Sequence, residues 1–286
     1  MSGATPSFDE KKAFRYLEKQ VSFGPRIPGS EGQARTLQWL EETLRPLAPR
    51  LEKRSFTGVN PLTGESARGT NLIASFRPES KDRIFLGAHW DTRIFADFDP
   101  DPARRRDPVP GANDGGSGTA VLLVLAEVFR DNPPPYGVDL LFFDFEDQGV
   151  PGGESGWCLG SRSFVAGMAL TGYRPRAGIV VDMVGGEGLR IAREKRSIDC
   201  CSRLVETLFR IGASEAPDIF ADGPLRDIYD DHAPFIEAGI PAVDLIGITF
   251  PEWHTVNDLP DRCSPKSLGA VGRTLLKLIY EGHEIP

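Results

Sequence analysis

Cysteine is scarce in this chain of 286 residues: there are four, Cys158, Cys200, Cys201 and Cys263. That is too few for a disulfide scaffold, and no pair has the Cys-x-x-Cys spacing of a structural zinc clamp. No run approaches the ~18 consecutive apolar residues of a membrane span, which excludes an integral membrane protein. Basic charge is also short, with 33 Lys and Arg against 41 Asp and Glu, a net charge of −8. With a pI near 5.2, a nucleic-acid or anionic-membrane surface is not expected. The first twelve residues, MSGATPSFDEKK, hold neither a basic stretch nor an apolar one, so no signal peptide is read there. Histidine is as rare as cysteine: His89, His232, His254 and His283. The first three lie in segments rich in acids, glycine or aromatics, which makes each of them informative.

What is present is an ordinary globular composition, 40% hydrophobic and 26% charged, which rules out disorder. Helical periodicity marks Asp9 to Val21 and Gly32 to Arg45, with a loop between them. Runs rich in Phe, Ile and Leu at Leu51–Phe56, Asn71–Phe76 and Arg83–His89 read as strands. Thr92 to Pro110 has no period, several prolines and many Arg and Asp residues, so it reads as a long surface loop of the functional kind. An amphipathic helix follows Gly115, and Val138–Phe145 is a buried strand that ends in acids. Helix Cys158–Met168, strand Gly178–Val184, helices Ser197–Ile211 and Ala233–Ala238, strand Ala242–Ile246 and helix Ser267–Tyr280 complete the alternation. The expectation is a single α/β domain over residues 1–286, with a mixed, largely parallel twisted sheet flanked by helices.

Acids and histidines recur at or just beyond strand ends: His89, Asp114, Glu146 with Asp147, Asp182 and His254. Open α/β sheets bind ligands at that edge. Imidazoles mixed with carboxylates suit a catalytic zinc, which takes nitrogen and oxygen ligands and keeps one position open. Singly, each residue has a plainer reading. Asp114 could cap the helix after Gly115, Asp182 could close a turn, His254 could be a core histidine, and Asp230-Asp231 could be a solvated turn capping the helix at Ala233. Glu146-Asp147 resists such a reading, because adjacent carboxylates repel unless a cation lies between them. Divided labour, one ligand and one base, is the reading for that pair.

Six segments in order, GAHWDT, GANDGGSG, FFDFEDQG, VVDMVGG, YDDHAPF and EWHTVND, resemble the zinc aminopeptidase and glutaminyl-peptide cyclotransferase superfamily. FGPRIPGS, the EDQG and CLGSRSF stretches and FPEWHT resemble its glutaminyl cyclases, above all the bacterial zinc-dependent ones. The resemblance implies a zinc aminopeptidase-like fold. It implies Asp114, Asp147 and His254 as ligands of a catalytic zinc and Glu146 as general acid and base. Asp182 and Asp230 match acids that hydrogen-bond with that glutamate, and Trp253 matches a wall of the substrate pocket. His89, with Asp182, matches the ligands of a second zinc in the two-metal aminopeptidases, so one ion is expected and two remain open. Asp147 stands where most relatives carry glutamate, as in the bacterial cyclases. The animal enzymes also place a tryptophan soon after the acidic pair; Trp157 is the candidate substitute.

The implied reaction converts the N-terminal glutamine of a peptide or protein to pyroglutamate. The α-amine attacks the γ-carboxamide, zinc acts as Lewis acid, and ammonia leaves. An aminopeptidase using the same glutamate on water is the alternative, and a non-catalytic, metal-stabilised peptide-binding module is a third that the intact Glu146 counts against. Asp91 is expected to orient His89 or to bridge two metals, Asp231 to cap, and His232 to orient a carboxylate or simply pack. Trp90 is expected in the core or at an interface rather than against substrate. The bacterial cyclases suggest a periplasmic or secreted enzyme. The loop from Thr92 to Pro110 is expected to form a rim or lid over the site.

Overall fold

The computed structural model describes residues 4–285 apart from 154, 222 and 224. Among these residues the strands β1 (Arg50–Val59), β2 (Ser66–Phe76), β3 (Arg83–His89), β4 (Gly137–Phe143), β5 (Ala177–Asp182) and β6 (Ala242–Ile246) form one sheet. Its order is β1-β2-β4-β3-β5-β6. β1 pairs antiparallel with β2, and β2 with β4, while β4, β3, β5 and β6 run parallel. The expectation of a mixed, largely parallel sheet is met, and the antiparallel part is the β1–β2 hairpin.

Period-two alternation sorts the core onto two faces. Leu72, Ala74, Ile84, Leu86, Leu140, Phe142, Ile179, Val181 and Leu245 face one cluster with α1 (Glu10–Val21), α2 (Glu31–Leu44), α3 (Gly116–Asp131), α5 (Lys195–Glu215) and α7 (Pro265–Tyr280). Ile73, Phe85, Leu141, Phe143 and Val180 face the other, with α4 (Leu159–Thr171) and α6 (Ala233–Glu237). Strands covered on both sides read as the continuous apolar runs seen in the sequence.

Several boundaries move for identifiable reasons. β1 and β2 are longer than their apolar centres, because the hairpin pairs Arg50 with Ser75 through to Val59 with Ser66 and carries polar residues along. β4 stops at Phe143 rather than Phe145: the Asp144 carboxylate takes the Thr70 N–H at 2.8 Å, and Phe145 turns to φ 63°. β5 stops at Asp182 because Met183 lies at φ 48°. α5 starts earlier and breaks at Cys201, whose thiol reaches the Ala242 carbonyl at 3.3 Å. The four cysteines are unpaired. No helix among the described residues is long and apolar enough to cross a membrane.

α5 begins on a buried carboxylate. Glu194 accepts from the N–H groups of Arg196 (2.9 Å), Ser197 (2.7 Å) and Ile228 (3.1 Å) and from the Ser197 hydroxyl (2.8 Å). His232 Nε2 lies 3.3 Å away. Burial opposes its ionisation but is outweighed by His232 and the Arg196 and Ser197 amides, and the pKa falls to about 2. A depressed carboxylate pKa stabilises the fold above its ordinary range, and that contribution is lost as pH falls toward the folded value. Replacing Glu194 with Ala orphans these donors, so a loss of about 3 kcal/mol in denaturant unfolding is predicted at neutral pH, shrinking below pH ~4; an unchanged midpoint would refute the role.

Candidate active site

The parallel strands bring their C-terminal ends to one edge. β3 delivers His89, β4 leads into Glu146 and Asp147, and β5 ends on Asp182. Asp114 arrives from the loop before α3, and His254 from the turns that follow β6. Backbone strain concentrates here. Phe145, Met183 and His254 hold positive φ values of 63°, 48° and 54°, a conformation costing ~1–3 kcal/mol each for such residues. Each sits at or beside a polar side chain that it aims into the cleft.

Two donor sets share one carboxylate. Asp114, Asp147 and His254 bring ligand atoms within 4.8 Å of one another, and so do His89, Asp114 and Asp182. In the first, His254 Nε2 is 3.1 Å from Asp147 Oδ1 and 3.6 Å from Asp114 Oδ2. In the second, His89 Nε2 is 3.1 Å from both Asp114 Oδ1 and Asp182 Oδ1. All five residues are buried. Asp114 Oδ2 and Asp147 Oδ2 are buried without a hydrogen-bond partner. Unpaired carboxylate oxygens beside an imidazole are costly unless a cation completes them, and nitrogen plus oxygen donors fit a divalent metal.

Glu146 and Asp147 do not straddle one cation. Asp147 joins Asp114 and His254, whereas Glu146 gathers with Cys158 and Asp230. The Cys158 thiol donates to Glu146 Oε1 at 3.3 Å. Burial, aided by the charges of Asp230, Asp147 and Asp231 and opposed by His89, pushes the Glu146 carboxyl well above its usual range. Burial likewise lifts Asp182, to about 7, against the pull of His89. For His254 the neighbouring Asp147 and Asp97 outweigh burial and raise the imidazole to about 9.

Asp91 departs from the bridging alternative. Its carboxylate accepts the Glu146 N–H at 2.9 Å, the Asp147 N–H at 3.3 Å and the Gln148 side chain at 3.1 Å, and it faces His89 Nδ1 at 3.4 Å. It orients His89 and holds the acidic pair, while the acid common to both donor sets is Asp114. Asp114 does not cap α3 either: Gly115 occupies the cap, without a side-chain hydrogen bond. The Asp230-Asp231 turn is buried, not solvated. Asp231 accepts from the Ser161 hydroxyl, and its amide donates to Asp230 Oδ1. No side chain caps α6, whose cap position is His232. His232 itself turns to Glu194 and lies 3.9 Å from Asp244 Oδ2. Trp90 is fully buried, its indole N–H on the Thr70 carbonyl.

The cleft has a volume of about 770 Å³ and is lined by Asp114, Glu146, Asp147, Trp157, Trp253 and His254, among others. Trp157 stacks parallel to His254 at 6.1 Å, and Trp253 contacts it at 4.1 Å. Both tryptophans therefore wall the cleft.

Sequence reasoning missed the support behind this edge. Arg93 and Asp97 lie in the loop read as surface, yet Arg93 is fully buried. Its guanidinium donates to Asp97 at 2.9 Å, reaches Asp147 Oδ1 at 3.5 Å and lies 5.0 Å from the Trp157 ring. Asp97 faces His254 Nδ1 at 3.5 Å, and Phe98 stacks on Trp253 at 5.0 Å. The loop thus braces His254 and Trp253 from beside the cleft. Arg26, also buried, donates to the carbonyls of Trp90 at 2.7 Å and Pro110 at 3.0 Å. Asp258 accepts the amides of Asn113 at 2.7 Å and Asp114 at 3.0 Å. Four-residue spacing of Arg93 and Asp97 was the available signal, weak outside a helix.

The profile of Peptidase family M28 matches residues 71–279. The chain belongs to peptidase family M28. Within that family it resembles a glutaminyl cyclase from Bacteroides thetaiotaomicron, solved bound to N-acetylhistamine, at 34% identity over 98% of this chain and 100% of that one, with a TM-score of 0.93. A Zn-dependent exopeptidase from Parabacteroides distasonis is similar at 32% identity over 97% and 99%, TM-score 0.92. The glutaminyl-peptide cyclotransferase-like protein of Bos taurus is 26% identical, over 90% of this chain and 72% of its own.

Gly115 is a tight constraint beside His89 and Asp91. It lies at φ 78°, and a Cβ there would fall 2.4 Å from the Asp91 carbonyl oxygen and 3.0 Å from the His89 ring. Gly115→Ala is predicted to cost at least about 2 kcal/mol, from left-handed strain plus displacement of His89 and Asp91. Chemical denaturation checks this, and a loss under ~0.5 kcal/mol, the range of an ordinary surface substitution, would contradict it.

Proposed function

We propose that this chain is a zinc-dependent glutaminyl-peptide cyclotransferase acting on peptides or proteins with an N-terminal glutamine. The observation that carries the proposal is Glu146, a buried carboxyl with a raised pKa beside a metal-type donor set. The full-length likeness to a glutaminyl cyclase points the same way. Asp114, Asp147 and His254 are the residues that would hold the zinc. Bound there, zinc supplies a Lewis acid for the γ-carboxamide oxygen of the substrate.

The chain's own residues do the proton work. The α-amine nitrogen forms the new bond to the γ-carbonyl carbon, and the bond from that carbon to the amide nitrogen breaks. Glu146 takes the proton the amine loses and returns it to the departing nitrogen, which leaves as ammonia. A carboxyl kept well above its usual pKa suits both halves of that exchange, and such help contributes roughly 10²–10⁴-fold. Asp230 and Asp147 place negative charge near Glu146, and the Cys158 thiol donates to its Oε1. Trp157 and Trp253 hold the glutamine side chain in a walled cleft, so the amine meets its own carboxamide at high effective concentration.

A second reading, an aminopeptidase with two ions, is favoured by the second donor set of His89, Asp114 and Asp182. One ion is the proposal, because the unpaired oxygens Asp114 Oδ2 and Asp147 Oδ2 belong to the His254 set, whereas His89 Nε2 is hydrogen-bonded to Asp182 at 3.1 Å. Metal analysis of the purified protein is predicted to find one zinc per chain, and two would favour the peptidase. Glu146→Gln is predicted to keep zinc content and folding while lowering release of ammonia from Gln peptides by at least about 10². Near-normal turnover in that variant would remove Glu146 from the mechanism.

A further inference from the structure

Next to the catalytic cleft lies a second cavity of about 150 Å³. Its lining includes Ile191, Ala192, Ala221 and Thr249, and it shares Arg226, Ile228, Ile246 and Ile248 with the cleft. We propose that this cavity is a subsite for an apolar or aromatic side chain carried by one of the two residues that follow the substrate's N-terminal glutamine. The proposal rests on the cyclase reading above.

Size and chemistry support that occupant. A cavity of ~150 Å³ is large enough for a benzene ring, and its surface is mainly apolar, with Arg190, Arg193, Arg226 and Glu194 also on the wall. Here Ile191 is fully buried and Ile246 nearly so, and the acid on the wall, Glu194, is spent on the start of α5. Arg193 is turned to Glu206 at 2.9 Å, so an apolar side chain meets the aliphatic part of the wall and leaves water there at little polar cost.

Continuity fixes which part of the substrate enters. In the cyclase reaction the glutamine commits both its α-amine and its side chain to the catalytic cleft, so the peptide leaves through its carbonyl carbon. The two cavities share a wall, and two further residues reach about 7 Å at most, so the proposal names those two positions. The path passes the shared wall, where Arg226 is exposed and has no acid partner among the described residues. Its guanidinium offers donors but no acceptor, which suits a backbone carbonyl of the departing chain. Arg226 is thereby assigned as a substrate-positioning residue.

Three peptides test the proposal: Gln-Gly-Gly-amide, Gln-Phe-Gly-amide and Gln-Gly-Phe-amide, with ammonia release followed for each. One of the phenylalanine peptides is predicted to exceed the glycine peptide by about tenfold in kcat/KM, the scale of a modest apolar contact. Ala192→Leu, which fills the cavity away from the catalytic residues, is predicted to erase that preference and leave Gln-Gly-Gly-amide unchanged. Ala192→Val is the milder filler should the leucine variant fail to fold. Arg226→Ala is predicted to raise KM for all three peptides with little change in kcat. Equal kcat/KM for the three peptides, or a preference that survives a folded filling variant, would overturn the subsite. Absence of ammonia from every peptide would instead overturn the cyclase reading.

Discussion

Crowding of largely buried carboxylates around one cleft governs this structure. Asp91, Asp114, Glu146, Asp147, Asp182, Asp230 and Asp231 are all buried at one edge of the sheet. Like charges in a low-dielectric setting repel strongly, so each must be protonated, hydrogen-bonded or paired with a cation. The chain solves most of this itself. Asp91 accepts from backbone and amide donors, Asp231 accepts from Ser161 through one of its oxygens, and Asp147 is approached by Arg93. Glu146 and Asp182 are held in a range where they keep a proton more readily. Asp230 and Asp231 each keep one unpaired oxygen, and so do Asp114 and Asp147, whose oxygens gather with His254 and give a divalent ion a physical reason to sit there.

The scaffold serves that arrangement by rigidity. Parallel strands packed on both faces cannot slip register without unpacking both clusters, so their ends are fixed points. From those points the chain turns at once into left-handed conformations at Phe145 and Met183, aiming Glu146 and releasing Asp182 at the rim. Arg26 and Asp258 then hold the backbone that brings Asp114 in, using carbonyls and amides that would otherwise be orphaned. Local strain and global packing are thus linked: the over-determined core tolerates the strained turns that direct the chemistry.

Much of this was legible in the residues. The alternation of Ile84, Leu86 and Ala88, or of Val138, Leu140 and Phe142, reports strands directly, and polar groups beyond such strands mark the ligand edge. Tertiary roles were harder. Asp91 and Asp114 are both acids near glycine or histidine, and only the path of the loop between them decides which one is shared by two donor sets. Arg93 and Asp97 sit in a stretch whose polarity reads as solvent exposure, whereas the loop folds inward against His254. Cys158 opens the CLGSRSF segment, but its contact with Glu146 arises only because the start of α4 packs against the chain leaving β4.

The central claim is that Glu146 moves a proton between two nitrogens of one substrate rather than from a water molecule. Turnover of a Gln peptide in water labelled with heavy oxygen tests it directly, with the products followed by mass spectrometry. The account predicts ammonia and a pyroglutamyl peptide, neither product carrying the label. Free glutamine bearing labelled oxygen in its new carboxylate would contradict it and make the enzyme a peptidase.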